Sequence, residues 1–209
     1  MRVLQEYEAE QFLKRHVPVA RSLLCRNEQA LVAAARKLRF PLVLKITGVL
    51  HKTDVGGVRI AKTPGELEAA YVSLLATIKK RKIKSKGILA QEFITGAEVI
   101  IGIRKDTAFG HAIMLGSGGV HAELLRDVSF RICPISEKDA KEMIGELKMR
   151  TLLTGFRGGK PINMKLLVRT LVKISKLPLR CKAMEEMDIN PFIINDTIGK
   201  IADARIVFS

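Results

Sequence analysis

Residues 185–208 read EEMDINPFIINDTIGKIADARIVF, two apolar-rich arms on either side of the turn formers NDTIG. The arms have strand length and β-branched content, so the segment predicts an antiparallel hairpin. With the turn centred between Asp196 and Thr197, the numbers of cross-strand partners sum to 393, which sets Asn190 opposite Asp203. Asp188, two residues before Asn190, falls on the same face because side chains alternate along a strand. Two oxygen-bearing side chains facing each other on a ladder can share a hard cation. Mg²⁺ in particular takes a few protein oxygens and completes its shell with water and phosphate. A structural hairpin with polar decoration accounts for the same residues.

Working outward, the chain does not alternate strictly between strand and helix. Residues 4–15 place Leu4, Tyr7, Phe12 and Leu13 at helical spacing, and 17–24 look extended. Asn27 can cap a helix carrying Ala30, Leu31, Ala34 and Leu38 as one apolar stripe. PLVLKIT (41–47) and GVRIA (57–61) read as strands. In TPGEL (63–67), Thr63 caps a helix, Pro64 fits its first turn and Glu66 completes a capping box. Further strands are predicted at 87–93, 97–105, 110–116 and 128–135. A helix capped by Ser136 and a second spanning 163–177 precede the hairpin. Several adjacent strands followed by helices favour an α+β fold with antiparallel sheets over a doubly wound one.

The length of 209 residues suits one large domain or two small ones, and 47% hydrophobic with 27% charged residues is ordinary for a globular chain. The formal net charge of +15 is less ordinary and points to an acidic partner, a nucleic acid or a polyanionic ligand. The basic run KKRKIKSK (79–86) is better read as a solvated helix end than as a nucleic-acid arm. Aromatic residues for base stacking are few, which further disfavours nucleic acid. Cys25, Cys133 and Cys181 are scattered and form no CxxC pair, so reduced thiols in a cytoplasmic protein are expected. The charged N-terminus has no signal-peptide core, and no apolar run is long enough to span a membrane.

Within this frame a few residues invite chemistry. Lys45 lies inside an apolar strand, where an ammonium must reach water or an anion. The loop LHKTDVGGVRIA (50–61) brings His51 close to Gly56 and Gly57. It is either a polar turn or a loop that lays backbone amides and an imidazole against phosphate. Glu92 and Glu98 flank a short inter-strand segment. They are either surface carboxylates near a turn or groups that meet a ribose hydroxyl or help hold a metal–phosphate cluster, beside backbone groups that can pair with an adenine edge. Gly116, Gly118 and Gly119 suit either a second ligand loop or a tight strand connection. Arg131 and Arg157 are further candidate phosphate or partner contacts.

LVLKI, HKTDVGGV, QEFITGAEVIIGI, LGSGGV, LLRDVSFRICPI, GFRGGKP and DINPF with ADAR occur in the order expected of an ATP-grasp domain. Over almost its whole length the chain resembles the ATP-grasp β subunit of NDP-forming acyl-CoA synthetases (ADP-forming acetyl-CoA synthetase). It is more distantly similar to the succinyl-CoA synthetase β subunit. The resemblance implies two α+β subdomains with nucleotide bound between them, the smaller covering approximately residues 20–90. It also implies reversible ATP formation from ADP at the expense of an acyl-CoA thioester. By that resemblance Lys45 contacts the nucleotide phosphates, Glu92, Phe93 and Ile94 form the adenine hinge, and Glu98 lies near the ribose or phosphates. Asn190 and Asp203 hold Mg²⁺. His51 matches a phosphohistidine that relays the group to ADP, and Asp188 an acidic residue that orients a phosphohistidine.

Imidazole suits such a relay, being a good nucleophile near neutral pH. No CoA-binding Rossmann pattern or acyl-ligase domain is recognised, so the resemblance implies a CoA-binding α subunit as partner, in an α₂β₂ assembly. A rival reading is a basic, non-catalytic ATP-grasp-like protein that binds an acidic partner, nucleic acid or a regulatory nucleotide. The joint presence of Lys45, His51, Glu98, Asn190 and Asp203 disfavours a degenerate regulatory domain.

Overall fold

The hairpin forms, and it forms in the expected register. The computed structural model describes residues 1–49, 52–118, 127–155 and 160–209. The chain begins with β1 (Arg2–Gln5), α1 (Tyr7–Leu13), β2 (Ser22–Cys25), α2 (Glu28–Lys37), β3 (Leu42–Ile46) and β4 (Val58–Ala61). It continues with α3 (Pro64–Arg81), β5 (Ile88–Glu92), β6 (Ala97–Asp106), β7 (Gly110–Ser117) and β8 (Val128–Ile132). Four helices follow, α4 (Glu137–Glu146), α5 (Arg150–Leu153), α6 (Met164–Ser175) and α7 (Leu177–Arg180). The hairpin strands β9 (Met184–Ile194), β10 (Gly199–Ile201) and β11 (Ala204–Phe208) close the chain. Two compact units result, Met1–Val19 with Thr95–Ser209, and Ala20–Ile94.

The smaller unit is a four-stranded antiparallel sheet, ordered β2-β5-β3-β4, with α2 and α3 packed on one face. Leu42, Leu44 and Ile46 project to that face and meet Leu31, Ala34, Leu67 and Leu74 from the helices. Each such side chain contributes about 1.5–3 kcal/mol by leaving water. Lys45 therefore projects to the opposite face. Asn27 caps α2 by accepting from the Ala30 N–H, and Thr63 caps α3 by accepting from the Glu66 N–H. The capping box expected at Thr63 is shifted by one residue, because the Glu66 carboxylate accepts from the Lys62 N–H instead. The basic run is the last turn of α3 and the loop after it, exposed to solvent, where cations complement the helix dipole.

The larger unit is a seven-stranded antiparallel sheet, ordered β1-β11-β9-β6-β7-β8 with β10 beside β9. Val99, Ile101, Ile103, Ile189 and Phe192 from the strands share a core with Met143, Leu167, Leu171 and Ile174 from the helices. The expected helix over 4–15 is shorter, since residues 2–5 instead form an edge strand on β11 that buries Leu4. Ser136 caps α4 in a full capping box with Asp139. Asn195 shapes the hairpin turn, its Oδ1 accepting from the N–H groups of Thr197 and Ile198. No helix among the described residues is long and apolar enough to cross a membrane.

One irregularity in this sheet positions polar side chains. Val99 pairs with Phe192 and Ile101 with Ile189, so β9 fits two residues, Asn190 and Pro191, where β6 has only Ile100. The other hairpin arm carries the same extra length, because the ladder breaks at Ala202 and Asp203 between β10 and β11. Both arms bulge together and the register is kept. Bulges of this kind re-aim side chains and terminate pairing, and they recur beside active sites.

Candidate functional site

In the smaller unit Lys45 is buried, at 8% exposure, on the sheet face away from the helices. Its Nζ donates to Oε1 of Gln91 at 2.8 Å, and Gln91 is itself only 1% exposed. Gln91 pairs with Val43 across the ladder and Lys45 with Leu89, so the two polar side chains are diagonal neighbours on one face. The signal that singles out Lys45 in the sequence, a polar residue within an apolar strand, is present equally at Gln91 in the run ILAQ.

The residues expected to form an adenine hinge, Glu92, Phe93 and Ile94, lie at the end of β5 and just beyond it. Both oxygens of Glu92 are engaged by Arg21, Oε1 accepting from its backbone N–H at 2.8 Å and Oε2 from its Nε at 3.0 Å. The Glu92 carboxylate thus clips the entry to β2 onto the end of β5. The backbone N–H of Glu92 donates to the Arg21 carbonyl and that of Phe93 to the Pro41 carbonyl. Phe93 is exposed and Ile94 buried. Among the described residues the N–H of Ile94 donates to no backbone carbonyl, which leaves it available to a ligand edge.

His51 and Leu50 lie outside the described residues. The turn that follows corrects one expectation. Gly56 donates its N–H to the Thr53 carbonyl and Gly57 donates its N–H to the Lys52 carbonyl, at 3.0 and 2.7 Å. These amides are spent closing the turn, and they are not directed outward to cradle phosphate. Gly56 has φ of +69°, and a Cβ on Gly57 would sit 3.0 Å from the Lys52 carbonyl oxygen, so both glycines have a geometric reason. Arg59, passed over in the sequence, braces the turn by donating to the carbonyls of Gly56 and Val58.

In the larger unit Asn190 and Asp203 face each other across the bulge, the Asn190 N–H donating to the Asp203 carbonyl at 3.1 Å. Asn190 is exposed and Asp203 half-buried. Asp188 pairs with Arg205, and Glu98 pairs with Ile193, on the same non-core face of the sheet. Hard oxygen donors are what Mg²⁺ takes, and here the protein offers a carboxylate and an amide oxygen. No group of three His, Cys, Asp or Glu side chains among the described residues is placed to hold a metal. A carboxylate and an amide oxygen suit a cation whose remaining ligands arrive with a polyanion and water.

Other candidates among the described residues have structural contacts of their own. Gly118 donates its N–H to the Glu98 carbonyl at 2.9 Å, and a Cβ there would lie 2.7 Å from the Glu98 backbone. Close approach explains this glycine, and Gly119 lies outside the described residues. Arg131 is tied to Glu146, with Glu142 at 3.7 Å, on its own strand–helix pair, while Arg157 lies outside the described residues. Burial pushes the Cys133 thiol up to about 11 and raises that of Cys25, so neither is a thiolate near neutrality. Asp127, missed in the sequence, is a buried carboxylate accepting from the Ser117 hydroxyl and from the N–H groups of Lys148 and Met149. Burial works to raise its pKa, but these hydrogen bonds outweigh it and hold the carboxyl below the ordinary range.

Residues 1–208 match the ATP-grasp domain family. The β subunit of acetate–CoA ligase [ADP-forming] I from Pyrococcus furiosus is 37% identical over 99% of this chain and 92% of its own length. A 4-hydroxybutyrate–CoA ligase [ADP-forming] of Nitrosopumilus maritimus is also 37% identical, but the chain spans only 30% of that longer protein. Among solved structures, the dinucleotide-forming acetyl-coenzyme A synthetase 1 of Ca. Korarchaeum cryptofilum, in complex with coenzyme A, Ca-AMPCP and HgCl⁺, superposes with a TM-score of 0.93. It is 40% identical, over 99% of this chain and 93% of that one. The same synthetase with coenzyme A and Mg-AMPPCP, its phosphohistidine segment pointing towards the nucleotide binding site, gives 0.84 at 39% identity, over 99% and 93% of the two chains.

Proposed function

Because the chain belongs to the ATP-grasp family, among the β subunits of ADP-forming acetate–CoA ligases, we propose that it moves a phosphoryl group reversibly between a phosphohistidine and ADP. In this reading it acts in the cytoplasm with a CoA-binding α subunit, which supplies the acyl group, the thioester and the first phosphohistidine. The observation that carries the proposal is the juxtaposition of Asn190 and Asp203 across the hairpin, joined backbone to backbone, in a chain matched along nearly its whole length.

Lys45 meets the nucleotide phosphates as a point charge, held in a sheet that excludes water from its stem. The Ile94 N–H, with the hinge around it, reads the adenine edge. The hinge can do this because Arg21 and Pro41 already hold Glu92 and Phe93 in place. Asn190 and Asp203 hold Mg²⁺, which when bound neutralises phosphate charge, and Glu98 lies beside the ribose or phosphates. His51 takes the phosphoryl group on a ring nitrogen. The P–N bond of the partner's phosphohistidine breaks as the new P–N bond forms, and Asp188 orients a phosphohistidine by accepting from its other ring nitrogen. The group then passes to a terminal oxygen of ADP, and His51 is released. Catalysis of this kind rests on positioning and charge neutralisation.

The test is a labelling experiment. The chain is mixed with its cognate α subunit, γ-labelled ATP and Mg²⁺, and this chain is examined for acid-labile, base-stable label. The label should appear with Mg²⁺, disappear with excess EDTA, and be lost in His51→Ala while ADP still binds. Undiminished label in His51→Ala removes that residue from the relay.

A further inference from the structure

We propose that Gln91 is a positioning residue for the phosphate-binding lysine, fixing the direction of the Lys45 ammonium without adding a charge to it. This deepens the assignment of Lys45 and rests on it. Three observations support the role. Gln91 is 1% exposed and lies in β5, between Ala90, which faces the apolar core, and the hinge residue Glu92. A buried amide is costly unless its polar atoms are bonded, and a leucine there would pack against Leu89 with no such demand. A polar residue held at this place therefore has work beyond filling space.

The second observation is geometric. Lys45 carries four rotatable side-chain bonds, and a hydrogen bond at the end of such a stem narrows the positions open to its ammonium. The 2.8 Å bond to Oε1 draws Nζ along the sheet face towards the hinge end of β5, because Gln91 stands diagonal to Lys45 in the ladder. Backbone pairing on both sides holds β5 itself, with β2 on one edge and β3 on the other, so the anchor point is rigid. Ordering the lysine in advance reduces the entropy lost when it meets a phosphate.

The third is chemical. An amide oxygen accepts from an ammonium and leaves its full charge to act on an anion. A glutamate at the same place would bond more strongly. It would also set a negative charge beside the one that phosphate must approach. Elsewhere in the smaller unit the protein does use a carboxylate to clip a cation, Glu92 on Arg21, one residue further along the same strand. Neutral and charged anchors alternate from one residue to the next, and the neutral one faces the lysine.

The reading predicts an effect that scales with phosphate rather than with nucleoside. Adenosine, AMP and Mg-ADP are titrated against the wild-type chain, Gln91→Leu, Gln91→Glu and Lys45→Met, with thermal melting of each recorded. Gln91→Leu and Gln91→Glu should each weaken ADP about tenfold, roughly one hydrogen bond's worth, and leave adenosine within about twofold. The melting temperature of Gln91→Glu should stay at or above that of the wild type. If both Gln91 variants weaken adenosine as much as ADP, the residue is structural and the proposal fails. If Lys45→Met collapses the preference for ADP over adenosine while both Gln91 variants keep it, the positioning role fails and the Lys45 assignment stands. If Lys45→Met keeps the preference, the assignment of Lys45 falls and takes this inference with it.

Discussion

Replacing Asp127 tests whether hydrogen bonding or burial governs that carboxylate. Its oxygens accept from the Ser117 hydroxyl at 2.5 Å, from the Lys148 N–H at 2.6 Å and from the Met149 N–H at 2.9 Å. The last two donors lie at the start of α5, so one side chain ties a helix N-terminus to the end of β7. Hydrogen bonds to a charged group contribute about 1.5–3 kcal/mol each in isolation. The sum is not reached, because Lys148 is exposed and water can replace part of what Ala removes. Asp127→Ala should therefore cost about 3 kcal/mol, and Asp127→Asn, which keeps one acceptor, about half of that. In a chain of this size 1 kcal/mol moves Tm by about 2–4 °C, so the Ala variant should melt roughly 6–12 °C lower. The pH dependence gives a sharper check. The folded pKa is depressed below the unfolded value of about 3.9, so the contribution is complete above that value and is lost as pH falls through the folded pKa. Urea denaturation at pH 7, 6 and 5 should return the same difference between wild type and Ala, with narrowing only below about pH 4. A difference that grew as pH fell from 7 to 5 would show that burial had raised the pKa and that hydrogen bonding does not govern this carboxylate.

Two further substitutions bear on the hairpin. A Cβ on Gly199 would lie 2.7 Å from Cζ of the fully buried Phe192 and 3.2 Å from Leu166, so Gly199→Ala should lose about 1–3 kcal/mol by overpacking, read by urea denaturation. Because Phe192 is two residues from Asn190, the same variant should also weaken Mg-ADP binding, whereas a purely local strain would leave it unchanged. Asp203→Ala removes a half-buried carboxylate at a break in the ladder and should alter stability by no more than about 1 kcal/mol. It should nevertheless reduce Mg²⁺-dependent ADP affinity at least about tenfold by titration calorimetry. Equal ADP affinity with and without Mg²⁺ in both proteins would detach the cation from this pair.

What the sequence discloses differs from element to element for physical reasons. The hairpin is legible because turn chemistry, strand composition and residue count all select one register, and a slip of one would turn every apolar residue outward. β1 is not legible, because Leu4 and Tyr7 share a spacing with Phe12 that imitates a helix, and only the distant strand β11 makes residues 2–5 extended. The two glycines of the 50–61 loop suit a phosphate cradle and a closed turn equally well as sequence. The distinction lies in where two N–H groups point, and this depends on Arg59 holding the turn shut. Gln91 carries the same sequence signal as Lys45, but its pairing, like those of Arg21 and Asp127, escapes notice for a shared reason. Each acts on a residue at least ten positions away, or 46 away for Lys45 and 71 for Glu92, and sequence spacing carries no trace of such a pairing.

The two residues proposed to hold the cation are placed largely by the sheet around them. Asn190 and Asp203 are joined by one backbone bond, and their side chains leave the sheet where both arms of the hairpin bulge. Their alignment is set from beneath, by Ile189 opposite Ala204 on one side of the bulge and Phe192 opposite Ile201 on the other, all buried in one core. A shift of the hairpin by one residue would put Phe192 in water at a cost of about 3 kcal/mol, before any loss from its neighbours is counted. The oxygens are thus held in register by apolar packing that never touches a ligand. Substitution in the apolar layer beneath, as at Gly199 against Phe192, should therefore cost both stability and binding, whereas substitution of Asn190 or Asp203 should cost binding with little loss of stability.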